Sequence, residues 1–185
     1  MEKTKVIEIS IDQAFYLLKH FHEIKPSDRI KYVGIGKSNI EIQAQVNTVG
    51  SKFDPSFCDS PFQIGKKIKL GKLIETIEQS NGRKAEVFEF TQITGEQNVV
   101  SISELNEAEK SYIQAEKRGG FEVKVFTTER QFYTNKLTVI STTSNELITC
   151  FPGGYAPAFV SDWMSDREKI LSKSFWDQHL FKKYN

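Results

Sequence analysis

The stretch from residue 121 to residue 154 constrains this chain most. In FEVKVFT, Phe121, Val123 and Val125 alternate with Glu122 and Lys124, the period-two signature of a strand with one dry and one wet face. Residues 136–143 and 147–151 are two further β-prone runs separated by Ser144, Asn145 and Glu146, and they read as a hairpin. Pro152, Gly153 and Gly154 then forbid the last strand to continue. A regular pleat puts Leu147, Thr149 and Phe151 on one face and Ile148 and Cys150 on the other. Thr149 is thus a hydroxyl among apolar neighbours, just before a stiff corner.

The rest of the chain supplies helices around this sheet. Residues 10–23 predict an amphipathic helix, with Ser10 and Gln13 at capping-box spacing and Ile11, Ala14, Phe15, Leu18 and Phe21 on one stripe. Pro26, Ser27 and Asp28 close it. A short lead-in strand at 6–9 and strands at 30–36 and 40–49 are expected, followed by a loop over 50–61. Residues 70–79 and 103–117 carry helical patterns, and Val87 to Ile93 reads as a strand after the Asn81-Gly82 turn. Residues 131–134 suggest a further short strand or turn. Ser165 and Glu168 repeat the capping-box spacing and open a helix to about Phe181. The expected fold class is α+β: N-terminal helices, then an antiparallel sheet of meander and hairpin, then a C-terminal helix, in one domain over 1–185.

Composition narrows the function. A hydrophobic fraction of 38% with 14 phenylalanines is enough for a core, and a formal charge of +1 gives no global pull toward nucleic acid or membrane. No apolar run nears the roughly 20 residues of a membrane span, and MEKTKVIEIS has no signal-peptide core, so a cytoplasmic location and no membrane partner are expected. Cys58 and Cys150 form no CxxC pair, and no metal site or cofactor is expected. GIGKS at 34–38 lacks the spacing of a phosphate loop.

Candidate site residues are few. On a wheel of about 100° per residue begun at Ile11, His22 falls on the apolar face and His20 on the opposite, solvated side. His22 is either a structural histidine bonded to a nearby carbonyl or an acid–base group. His179 is expected to pack beside Trp176. Lys66, Lys67, Lys69 and Lys72 crowd GKKIKLGK, either as a solvated face or as phosphate contacts. Phe53, Phe57 and Phe62 fill core or stack on bases. Arg130, just before the hairpin, has the planar fork that suits a phosphate, and Thr149 could join it.

Strand, turn, strand and ITCFP together resemble the C-terminal hairpin of the barnase–EndoU–colicin–RelE-like ribonucleases. Thr149, Phe151 and Pro152 match its terminal motif, and Arg130 and His22 match by order and type. The resemblance implies a metal-independent endoribonuclease of toxin or defence type. His22, Arg130 and Thr149 would be catalytic, and Lys66, Lys67, Lys69 and Tyr155 would bind substrate. RNA would be the substrate, and a neutralising antitoxin or immunity protein a partner. The alternative is a non-enzymatic protein-binding module: an immunity protein, antitoxin or phage inhibitor.

Overall fold

The computed structural model describes residues 8–118 and 120–183. The lead-in strand expected at 6–9 lies mostly outside them, and residues 8 and 9 are not in a strand. Helix α1, Ile11–Leu17, opens with the Ser10–Gln13 capping box. It then tightens into a 3-10 turn, Leu18–His20, and Phe21 is already extended. The helical wheel therefore stops applying before either histidine. His20 is buried under the returning segment around Ser51, whereas His22 lies beyond the turn and is exposed, the reverse of the expectation.

Pro26 does not end a helix. It stands at the first turn of α2, Pro26–Gly34, where its missing N–H costs nothing. Helix α3, Asn39–Gln45, starts at the Ser38–Glu41 capping box. Strands were expected over both, because Ile30, Ile35 and Ile40 carry β propensity. Cap chemistry and the burial of Tyr32 and Ile42 against Ala14 and Leu18 decide for helix.

Strand β1, Lys52–Phe53, and helix α4, Ile64–Ile68, lead to β2, Lys72–Glu78, and β3, Arg83–Glu89. The helix expected over 70–79 is thus a strand. A register shift between Leu73 and Glu75 places Leu73, Ile74 and Ile77 at a spacing that imitates a helical stripe. Strands β4, Gly95–Glu96, and β5, Val99–Ser101, follow. The helix expected over 103–117 breaks into a 3-10 turn, a single turn α5, Glu107–Lys110, and strand β6, Gln114–Arg118. Strand β7, Phe121–Thr127, lies where its alternation predicts and buries Val123 and Val125, but Phe121 is exposed and Phe126, of the opposite parity, is buried. After β8, Tyr133–Thr134, come the hairpin strands β9, Lys136–Thr142, and β10, Leu147–Pro152. Helix α6, Asp166–Gln178, runs directly into β11, His179–Lys183.

The fold is α+β. One sheet has the order β10-β9-β3-β2 and is antiparallel throughout. A second has the order β5-β11-β7-β6, in which β11 pairs parallel to β7. A three-stranded ribbon, β1-β4-β8, joins the segments between them. The larger core packs Leu17, Phe21, Phe57 and Ile64 from the N-terminal region against Phe88, Leu137, Val139 and Cys150 of the first sheet. A smaller core of Val100, Phe126, Phe132 and Leu180 lies against the second.

A register shift between Leu147 and Thr149 changes the expected pleat of β10. Leu147, Cys150 and Pro152 are the buried residues, and Thr149, opposite Ile140, shares the other face with Phe151, opposite Thr138. Leu147 therefore does not share a face with Thr149.

Candidate active-site cleft

The corner after β10 opens into a cleft of about 570 Å³, between the end of the first sheet and the β5–β11 edge of the second. Gly153 makes the corner with φ +114°, a conformation that side chains disfavour. Its N–H donates to the Lys136 carbonyl at 2.9 Å, and its own carbonyl accepts from the buried Thr138 hydroxyl at 2.8 Å. These two bonds set the direction in which residues 154–156 leave the sheet and line the cleft. Thr138 thus anchors the turn.

Phe151 and Tyr155 bring aromatic surface to this cleft, and Tyr133, 53% exposed, brings more from the ribbon. The Tyr155 hydroxyl accepts from Gln79 Nε2 at 2.8 Å, and burial pushes its pKa up. From the opposite wall come Glu104 and His179. His179 caps α6, stacks on Phe175 at 3.7 Å with planes 3° apart, and donates from Nδ1 to the Phe175 carbonyl at 2.8 Å. A carbonyl can only accept, so Nδ1 carries a hydrogen, and in the neutral ring Nε2 is the acceptor. Lys136 completes the wall, and its ammonium has no ion-pair partner among the described residues.

Of the catalytic and substrate-binding candidates named from the sequence, Tyr155 alone lines the cleft, beside Phe151 and Pro152 of the resemblance motif. Thr149 is two residues from its edge on β10. His22 is exposed beyond the first helix. Arg130 is held elsewhere: Nε meets Glu109 Oε2 at 3.1 Å, Nη2 meets Oε1 at 2.7 Å, and Nη2 also donates to the Glu104 carbonyl at 3.1 Å. Its guanidinium lies 4.1 Å over Phe132, and it holds the Glu109 carboxyl down to about 2. No hydrogen bond or ion pair joins His22, Arg130 and Thr149 to one another among the described residues. Lys66 and Lys67 sit on α4 and Lys69 just after it, with Lys67 5.6 Å from the Phe57 ring. None of these lysines lines the cleft.

Sequence reasoning gave His179 only a packing role beside Trp176 and did not single out Glu104 or Lys136. The spacing of Phe175 and His179, four apart on a helix end, was a usable signal for their stack. Their meeting with the 152–155 turn required the tertiary fold. Among the described residues no helix is long and apolar enough to cross a membrane, and no group of acidic, histidine or cysteine side chains is arranged to hold a metal. No protein-family model matches the chain, and no curated protein matches it significantly.

Proposed function

We propose that the cleft binds RNA and that the protein is a metal-independent endoribonuclease of toxin or defence type, with His179 as an acid–base group. The observation that carries this reading is that the ribonuclease-like Phe151–Pro152 corner lines the same cleft as a histidine whose tautomer is set by the Phe175 carbonyl. Tyr133 and Tyr155 supply faces on which bases stack, and Lys136 offsets phosphate charge. Glu104 and His179 furnish the two proton carriers the chemistry needs. One removes the 2′-hydroxyl proton, the 2′-oxygen bonds to phosphorus, the bond from phosphorus to the 5′-oxygen breaks, and the other protonates that leaving oxygen. The products are a 2′,3′-cyclic phosphate and a 5′-hydroxyl.

Incubation with end-labelled single-stranded RNA in EDTA tests this. Cleavage is expected for RNA and absent for the same strand carrying 2′-deoxyriboses. His179→Gln and Glu104→Gln should each lower the rate by about 100- to 10,000-fold. No cleavage of any RNA by the intact protein refutes the enzyme. Glu109 and the Glu104 carbonyl occupy the Arg130 guanidinium that the ribonuclease resemblance assigns to phosphate, so the proposal gives Arg130 no catalytic role.

A further inference from the structure

His20 is 5% exposed and carries a polar atom with no partner among the described residues. Its Nδ1 donates to the Ser51 carbonyl at 2.7 Å, with the Ser51 hydroxyl 3.0 Å from the same nitrogen. The hydrogen is therefore on Nδ1, and Nε2 is a bare acceptor, buried and unsatisfied. Such an atom loses its hydration with nothing in return, and a second state in which it finds a donor is one way a fold tolerates it. Burial also lowers the His20 pKa to about 4, so the acceptor persists at neutral pH.

Two rings flank it. Phe53 stands 6.4 Å away, edge-on, and is pinned by stacking on Phe21 at 4.9 Å and by Phe57 at 6.5 Å. Phe151 stands 6.3 Å away, tilted by 33°. Phe151 is half-buried, makes no ring contact except with His20 among the described residues, and lines the cleft. Phe53 is thus held in the core, whereas Phe151 belongs both to the surroundings of His20 and to the lining of the cleft.

We infer that Phe151 is a door between the cleft and His20, and that behind it His20 Nε2 accepts a hydrogen bond from the amino or imino edge of a nucleobase. The ligand class rests on the RNA reading above; the door does not. His20 then makes the cleft a base-reading site in addition to a phosphate-holding one. Because Nδ1 stays bonded to Ser51, the ring need not turn for Nε2 to serve.

Diethylpyrocarbonate reports the door directly, because a neutral imidazole nitrogen displaces ethyl carbonate from it and the adduct can be mapped by mass spectrometry. In the unaltered protein His20 should react at least about 10-fold more slowly than exposed His22, which serves as the internal standard. Phe151→Ala should speed the reaction at His20 about 10-fold or more, with His22 unchanged. Phe151→Leu retains apolar bulk and should give an intermediate rate if the alanine variant folds poorly. In the alanine variant, cytidine 3′-monophosphate should slow the reaction at His20, whereas ribose 5-phosphate should not. Equal His20 rates in the unaltered protein and the folded variants overturn the door. Equal protection by ribose 5-phosphate overturns base recognition. A faster His20 reaction with nucleotide protection, but no cleavage of RNA, upholds the inference and removes the ribonuclease.

Discussion

Acid should weaken this fold through one buried histidine. In the folded chain the His20 pKa is lowered from 6.5 to about 4, first by burial and secondarily by Lys19, against the Ser51 carbonyl bond that raises it. As pH falls below about 6.5 the unfolded chain takes up a proton that the folded chain refuses, so stability declines until pH has fallen through about 4, below which both states are protonated. Above pH 6.5 both are neutral and the penalty vanishes. The full shift corresponds to about 3 kcal/mol, of which roughly 2.5 has accrued by pH 4.5. His20→Asn tests this, because its amide can still donate to Ser51 but cannot titrate. Lost ring packing should cost the variant about 1–2 kcal/mol at pH 7.5. Urea unfolding of both proteins from pH 7.5 down to pH 4.5 gives the difference curve, in which carboxylate effects cancel. The gap between them should narrow and then reverse, by about 2.5 kcal/mol in total. Parallel curves over that range would refute the assignment of a low pKa to His20.

Other outcomes follow from the same contacts. Glu109→Gln should lower stability by about 1–2 kcal/mol in thermal unfolding, because Arg130 loses a charged two-point partner, while leaving any RNA cleavage within about twofold; a large loss of cleavage alone would return Arg130 to the site. Thr149→Val should alter neither the melting temperature by more than about 2 °C nor cleavage, since Thr149 does not line the cleft; a roughly 100-fold rate loss would move the site to β10. Gly95→Ala puts a Cβ 2.0 Å from the Lys52 carbonyl oxygen and 2.8 Å from Pro152 Cγ, so it should destabilise by about 3 kcal/mol or more in urea titration. An unchanged midpoint would show that the ribbon crosses β10 less closely.

Local chemistry was enough to determine part of this protein. Alternation placed β7, a turn signal placed the β9–β10 hairpin, and capping-box spacing placed the starts of α1 and α6. Each of these patterns acts between residues a few positions apart. Tertiary structure decided where local preference was weak or ambiguous. Segments expected as strands became α2, opened by Pro26, and α3, opened by a capping box, and a bulged strand imitated a helix at β2. The site lay further beyond reach. His20 and His22 exchanged their expected exposures because the helix ended early and Ser51, 31 residues on, closed over the first. Arg130 was claimed by a carboxylate 21 residues earlier. His179 met the 152–155 turn only through the pairing of β11 with β5 and β7. A sequence pattern records which side chains a segment can present, but the partner that satisfies or frees a polar atom comes from long-range packing.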